Sequence, residues 1–304
     1  MYDIIVVGGG PAGMTSALYA LRAGKSVLVI EKNGFGGQIT YSPKVENYPG
    51  TMSMSGNEFA EKFLDQILAQ GADVELETVV SVEDKGRVKC VLTEEGGNYE
   101  AKAVIIAVGV KHRMLGIDGE YELVGNGISF CAVCDGDFYK GQTVCVAGGG
   151  NSALQEAILL SETCKEVIMV QDMDYFTGEK KLQDVLFSRD NVRAVTGSQI
   201  TGFITEGEEL RGIKVKDRKT GHETDISCDG LFVAIGLIPE NGNFANVLSL
   251  NDYGYIDSGE NCETGKDGIY CAGDCRSKSV RQLTTAVSDG AVAALAACRY
   301  IDAM

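Results

Sequence analysis

One pattern occurs twice in this chain, at an offset of 140 residues. It consists of an apolar strand-like run, a glycine turn, a helix-like stretch and a second apolar strand. In the first copy Asp3–Val7 leads into Gly8-Gly9-Gly10-Pro11-Ala12-Gly13. A helix-like stretch then runs to about Leu21, and Val27–Ile30 closes on Glu31. In the second copy Thr143–Ala147 leads into Gly148-Gly149-Gly150-Asn151-Ser152-Ala153. Leu154–Leu160 reads as helix, and Val167–Val170 closes on Gln171. Gly8, Gly10, Gly13 and Glu31 map without a gap onto Gly148, Gly150, Ala153 and Gln171. A strand–G-x-G-x-x-G–helix unit with an acid near the end of its second strand is a dinucleotide fingerprint. It restricts the chain to an α/β architecture with parallel strands.

The rest of the chain fits around these two starts. Strand-like runs fall at Ala103–Val108, Val192–Val195, Ile200–Ile204, Gly212–Val215 and Leu231–Ile235. The tail Leu283–Tyr300 is Ala-rich and reads as a buried helix in which Gly290 permits close packing. We therefore expect two Rossmann-like, three-layer nucleotide-binding domains, the second inserted into the first. Turn-rich Gly116–Gly127 and Pro239–Asn246 are taken as the crossings. That gives residues 1–115 with 245–304 as one domain and 116–244 as the other.

Composition excludes several classes. The chain carries 27 Lys+Arg against 43 Asp+Glu, a net charge of −16, which disfavours nucleic acid and anionic membranes as partners. No apolar run approaches the roughly 18 residues of a membrane span. Ten cysteines in 304 residues are too few for a disulfide scaffold and are scattered in strand- and helix-like runs. With no leader-like segment before the first strand, we expect reduced structural thiols and a cytoplasmic location.

At the first fingerprint each residue has a physical role. Gly8 makes the tight turn, Gly10 lets backbone approach a pyrophosphate, and Gly13 lets helix pack on strand. The helix N-terminus then offers N–H groups to phosphate, and Glu31 accepts from the adenosine ribose. The second fingerprint is weaker, because neutral Gln171 stands at the acid's place. Gln171-Asp172-Met173-Asp174 offers no cation to a 2′-phosphate, whereas Asp172 suits a 2′-hydroxyl. A vestigial nucleotide fold is the competing reading.

Cys131-Ala132-Val133-Cys134 has redox spacing, with one thiolate attacking a disulfide and the other resolving the product. Zinc would need two more ligands. Only Cys271 and Cys275 have suggestive spacing, and His112 and His222 stand alone, so no metal is expected. Asp135 follows the pair and reads either as a proton donor to a leaving thiolate or as an Asx-turn in Asp135-Gly136-Asp137. Gly273-Asp274 closes a strand before Arg281-Gln282-Leu283 opens the last helix, and an acid there suits the hydroxyls of an extended cofactor.

Together these residues resemble the low-molecular-weight thioredoxin reductases, nearly end to end. The motifs are Gly8–Gly13 with Glu31, Gly36-Gly37-Gln38, Val45-Glu46-Asn47-Tyr48-Pro49-Gly50, Cys131–Asp135, and Gly273-Asp274 with Arg281-Gln282. The resemblance implies FAD on the first domain. Gly37, Gln38 and Asn47 would approach the flavin, Asp274 and Gln282 its ribityl chain and ring, with Pro11, Ala12, Gly109, Arg281 and Leu283 completing the set. It further implies that Cys134 is the flavin-proximal sulfur, that Cys131 attacks thioredoxin, that Asp135 is the acid, and that the enzyme is a homodimer whose cysteine-bearing domain rotates. NADPH-dependent members carry a His-Arg-Arg…Arg clamp where this chain has Gln171, Asp172, Met173 and Thr177. In that respect the chain is most similar to the ferredoxin-dependent flavin branch, which implies reduced ferredoxin or a flavodoxin as donor. Acidic ferredoxin would need a basic patch. Candidates are Lys111/Arg113, Lys214/Lys216/Arg218/Lys219 and Arg276/Lys278/Arg281. The alternatives are an NADH- or NADPH-dependent reductase, a small-dithiol oxidase of the same fold, and a non-enzymatic flavin redox sensor.

Overall fold

A computed structural model describes residues 1–304. The chain divides into two compact units, Met1–Lys111 with Ile238–Met304, and His112–Leu237. The first unit opens with β1 (Tyr2–Val7), α1 (Pro11–Arg22) and β2 (Val27–Glu31). It continues through α2 (Gly56–Ala69), β3 (Asp73–Leu76), β4 (Val79–Asp84), β5 (Lys89–Thr93) and β6 (Asn98–Ile106). β6, β1, β2 and β3 form parallel pairs, with Ile4, Val6 and Val7 opposite Val27, Val29 and Ile30. Residues of opposite parity in β1 enter different cores, as a two-residue side-chain period requires. Ile4 and Val6 pack with α1, while Ile5 and Val7 pack under β4 and β5. Burial on both faces explains why the strand is an unbroken apolar run. Each such side chain contributes roughly 1.5–3 kcal/mol.

A short strand, β7 (Lys111–His112), and a one-turn helix, α3 (Glu120–Leu123), lead into the second unit. There follow β8 (Ile128–Ser129), α4 (Ala132–Asp135), β9 (Thr143–Ala147), α5 (Asn151–Leu160) and β10 (Glu166–Val170). Next come α6 (Lys180–Phe187), β11 (Val192–Val195) and the antiparallel β12 (Ser198–Glu206), β13 (Glu209–Asp217) and β14 (Glu223–Ser227). β15 (Gly230–Val233) and the short β16 (Leu237–Ile238) end this part. The parallel order is β11-β10-β9-β15-β8. Val144, Val146, Val167 and Met169 pack on α5 and α6, and Cys145, Ala147, Ile168 and Val170 pack on the β12–β14 sheet. Each unit is thus a parallel sheet with helices on one face and antiparallel strands on the other.

The chain returns through β17 (Glu263–Lys266) and β18 (Ile269–Cys271), which pairs in parallel with β6, and ends in α7 (Leu283–Asp302). Gly290 of α7 lies against α1, where a Cβ would fall 2.3 Å from the Ala12 carbonyl oxygen. Ser16 Oγ donates to the Gly290 carbonyl at 3.1 Å.

The unit limits differ from those read off the turns, for local reasons. Glu120 binds the N–H groups of Leu115 and Gly116, both at 2.8 Å, and Leu123 is buried in the second unit's core. Residues 112–115 therefore belong with the second unit. Asn241 is fully buried, donating to the carbonyls of Gly254 and Cys275, and Phe244 sits in the first unit's core. The return segment accordingly joins the first unit before residue 245.

Candidate functional site

In the first unit β1 ends at Gly8, which has φ +108° and donates to the Ile30 carbonyl at 2.8 Å. A Cβ on Gly8 would lie 2.4 Å from the Ala107 carbonyl oxygen, and one on Gly13 only 1.8 Å from the Gly8 carbonyl oxygen. The chain's own packing demands both glycines. Gly10 differs, since its Cβ would meet nothing closer than the Gly36 carbonyl oxygen at 3.9 Å. Gly10 is the N-cap of α1, Pro11 opens the helix, and no side chain caps it. Its first-turn N–H groups are left for an anion. Glu31 accepts from Gly9 N at 2.7 Å and Asn33 N at 3.0 Å, which fixes the carboxylate at the end of β2.

Gly8, Gly10, Glu31, Gly37 and Gln38 line one cavity of about 690 Å³, within the usual range for a cofactor. Gly37 and Gln38 begin a short 3-10 turn, Gly37–Tyr41. Gly109, at φ +66°, lies between the lining residues Val108 and Val110. Asn47 is exposed and outside this lining.

Asp274 reaches the same region through backbone packing. Gly273, at φ +81°, touches α1, and a Cβ there would fall 2.8 Å from Ala12 Cβ. Asp289 on α7 accepts from Gly273 N at 3.1 Å, from Arg276 at 2.8 and 2.9 Å, and from Lys278 at 2.9 Å. Asp274 Oδ1 is buried without a partner, and burial pushes its carboxyl above the usual range against the pull of Lys278 and Arg281. Arg281 donates to the Asp274 carbonyl at 3.2 Å and lies 4.2 Å over the Tyr255 ring. Gln282 caps α7, whose first residue is Leu283. An extended polyhydroxy dinucleotide fits this region. The open Gly10 turn would suit its pyrophosphate, and the orphaned Asp274 oxygen would accept from one of its hydroxyls.

In the second unit β8 leads to a disulfide between Cys131 and Cys134, with Cα atoms 5.3 Å apart. Cys131 is the N-cap of α4, and its Sγ accepts from Cys134 N at 3.2 Å. Ser129 Oγ donates to Asp135 Oδ2 at 2.6 Å and accepts from Cys131 N at 3.1 Å. The Asp135 side chain is therefore tied back to Ser129 and does not close a turn on its own Gly136-Asp137. Its Oδ1 is buried without a partner. Burial raises the Asp135 pKa, and the Ser129 bond opposes that rise. Burial thus shifts this carboxyl toward its protonated form, next in sequence to Cys134. His112 stacks on Phe130 at 4.5 Å, and burial lowers its pKa to about 4. The Cys271 and Cys275 sulfurs are buried 3.6 Å apart in the first unit.

The second fingerprint keeps the geometry of the first. Gly148 has φ +131°, and the Cβ position on Gly150 is open, with Thr177 Oγ1 at 3.8 Å. Gln171 is buried beneath Gly149 and donates to the Tyr175 carbonyl at 3.2 Å. Sequence reasoning missed what lies beside it. The turn after β13 brings Arg218 to Asp172 at 3.3 Å and Lys219 to Asp174 at 2.8 Å. These cations belonged to an expected basic patch, and the structure uses them as counter-ions. Other members are also engaged, with Lys111 on Glu240 at 2.8 Å, Lys216 on Glu223 at 3.5 Å, and Arg276 and Lys278 buried on Asp289.

Comparison with known proteins agrees with this arrangement. Residues 2–290 match the family model described as pyridine nucleotide-disulphide oxidoreductase. The chain is 41% identical over 300 residues to a Clostridium pasteurianum protein described as the 34.2 kDa protein in rubredoxin operon, covering 98% of this chain and 97% of that one. It is 39% identical to the thioredoxin reductase of Listeria monocytogenes, over 99% and 94% of the two chains. A solved thioredoxin reductase from Streptococcus pyogenes superposes with a TM-score of 0.96 at 39% identity, covering 100% and 99%. No helix is long and apolar enough to cross a membrane. FAD is the cofactor of these enzymes, and the cradle around Gly10 and Asp274 fits it. The chain belongs to the pyridine nucleotide-disulphide oxidoreductase family, as a thioredoxin-reductase-like flavin disulfide reductase.

Proposed function

We propose that the protein reduces thioredoxin through Cys131 and Cys134, with electrons drawn from a reduced pyridine nucleotide. The observation that carries the reading is the Cys131–Cys134 disulfide beside the buried, unpartnered Asp135 oxygen. Gly8, Gly10, Gly13 and Glu31 would hold FAD at its adenosine and pyrophosphate, and Asp274 would accept from its polyol. When bound, FAD would supply the electron pair that opens the Cys131–Cys134 disulfide. Cys131 then attacks the thioredoxin disulfide, since the Cys134 N–H aimed at its sulfur stabilises a thiolate there. The mixed disulfide forms as one thioredoxin thiolate leaves, and Asp135 gives that thiolate a proton. Cys134 attacks Cys131 Sγ and releases the second thioredoxin sulfur, restoring the internal disulfide.

A pyridine nucleotide as donor is supported by the open Gly150 turn at the uncapped N-terminus of α5, the same anion cradle that the first unit presents. Reduced ferredoxin or a flavodoxin is the second reading, favoured by the absence of any cation in residues 171–177. Anaerobic stopped-flow mixing of the oxidised holoenzyme with NADH, NADPH and reduced ferredoxin separates the two. Rapid bleaching by a nucleotide alone is the expected result. Bleaching by ferredoxin alone overturns the donor assignment. Thioredoxin reduction coupled to an insulin precipitation assay tests the acceptor, and faster oxygen consumption with a small dithiol would replace the reductase by an oxidase. The proposal extends to a cytoplasmic homodimer, for which sedimentation should report twice the chain mass.

A further inference from the structure

The residues just beyond β10 decide which nucleotide the second unit accepts. In a βαβ unit the adenosine ribose is read at the carboxyl end of the second strand, by an acid for a 2′-hydroxyl or by cations for a 2′-phosphate. Here that end is β10. Its next residue, Gln171, is buried and spends its amide on the Tyr175 carbonyl. Asp172 is therefore the first exposed side chain past the strand. Arg218 and Lys219 are the cations that reach this end of β10, and both are taken up by its acids, Arg218 at 3.3 Å from Asp172 and Lys219 at 2.8 Å from Asp174. Backbone bonds fix the arrangement. Gly197 N donates to the Met173 carbonyl at 2.8 Å, and Arg218 N to the Gly197 carbonyl at 2.9 Å. A third acid, Asp217, adjoins the cations, and its carboxylate accepts from Lys219 N, Thr220 N and Thr220 Oγ1. Three carboxylates thus face two cations. A 2′-phosphate would have to break both ion pairs and then sit beside the displaced acids. A 2′-hydroxyl needs only a lone pair of Asp172, which the Arg218 contact holds in place.

We infer that this site is specific for NADH over NADPH, with Asp172 as the 2′-hydroxyl acceptor and Arg218 and Lys219 as positioning residues that hold Asp172 and Asp174 against phosphate. The inference rests on the reading of a pyridine nucleotide as electron donor. It is tested on the holoenzyme by kcat/KM for flavin reduction with each nucleotide, and by calorimetric affinity for ADP-ribose and for 2′-phospho-ADP-ribose. The wild type should favour NADH and ADP-ribose at least tenfold. Asp172→Asn with Asp174→Asn should free the two cations and move both ratios at least tenfold toward the phosphorylated ligand, more strongly at low salt. Arg218→Ala with Lys219→Ala should leave NADPH use poor. A wild type that prefers NADPH, and loses that preference in the Arg218→Ala, Lys219→Ala variant, would make the cations a phosphate clamp. That result overturns the inference and leaves the donor reading standing. Flavin bleaching by reduced ferredoxin alone, with affinity for neither fragment, overturns both.

Discussion

Ser129 Oγ lies 2.6 Å from Asp135 Oδ2 and 3.1 Å from Cys131 N, so one hydroxyl ties the proposed proton donor to the backbone of the proposed attacking cysteine. Burial raises the Asp135 pKa, and the Ser129 bond opposes the rise by stabilising the carboxylate. An acid must be protonated to donate, so thioredoxin reduction should decline as pH rises through that elevated pKa. Ser129→Ala removes the opposing bond, so the declining limb should move to higher pH. Asp135→Asn cannot donate, and should flatten that limb and slow turnover about 10²–10⁴-fold. Rate profiles against pH for the three enzymes check the argument. A limb unmoved by either change would remove Asp135 from its role.

Two of the fingerprint glycines should fail in different ways. Gly13→Ala places a methyl 1.8 Å from the Gly8 carbonyl oxygen, between α1 and the turn. That clash requires backbone movement and should destabilise the first unit whether or not flavin is bound. Gly10 has φ −79° and ψ −177°, which alanine adopts freely, and open space before it. Gly10→Ala should leave the unfolding midpoint of the flavin-free protein within a few degrees of wild type and sharply reduce flavin retained on purification. Thermal unfolding of the apoprotein and the ratio of flavin to protein absorbance separate the effects. Equal flavin loading in Gly10→Ala would mean that no pyrophosphate approaches this turn.

Asp289 should matter out of proportion to its distance from any reacting atom. It binds Gly273 N, Arg276 and Lys278, whose side chains are 3% and 6% exposed. Asp289→Ala would leave buried Lys278 without its ion pair and buried Arg276 with only the exposed Glu260 at 3.8 Å, and should cost about 3–5 kcal/mol, measured by urea unfolding. Burial alone would raise the Asp289 pKa, but Arg276 and Lys278 hold it below the ordinary carboxylate range. A depressed pKa stabilises the fold above the unfolded value of about 4, and that contribution is lost as pH falls through the folded value. The gap between wild type and variant should therefore narrow in acid. Flavin should also be lost, because the turn carrying Asp274 hangs from the Gly273–Asp289 bond.

What was legible in the sequence was what the backbone itself enforces. Gly8 and Gly13 are required by contacts a few residues away, and β1 is buried on both faces, so glycine spacing and apolar runs revealed both parallel units. The same logic exposed the Gly273-Asp274 turn that follows β18. Side-chain pairing across the fold was not legible. Arg218 and Asp172 are 46 residues apart and meet only because the β12–β14 sheet starts where β10 ends, with Ser198 N donating to the Gln171 carbonyl at 3.1 Å. Read along the chain, Lys214, Lys216, Arg218 and Lys219 look like a basic docking patch. In the fold, acids from neighbouring segments neutralise three of the four. Asp135 beside Gly136 likewise spells a turn, and only the Ser129 contact shows another use.

The two sulfurs should be distinguishable by trapping. Cys131 caps α4, and the Cys134 N–H points at its sulfur from 3.2 Å, which favours the thiolate on Cys131 once the disulfide is open. Either serine variant should lose at least about 10²-fold in turnover with thioredoxin, because exchange needs an attacker and a resolver. They should diverge with a thioredoxin carrying one cysteine as the mixed disulfide with thionitrobenzoate. Cys134→Ser retains the stabilised Cys131 thiolate, which attacks the thioredoxin sulfur and expels thionitrobenzoate. The product is a conjugate seen on a non-reducing gel, and the coloured thiolate is released in equal amount. Cys131→Ser leaves only Cys134, without the capping N–H, and should conjugate more than tenfold more slowly. Faster conjugation through Cys134 would reverse the assignment of attacker and resolver, and with it the role given to the N-terminus of α4.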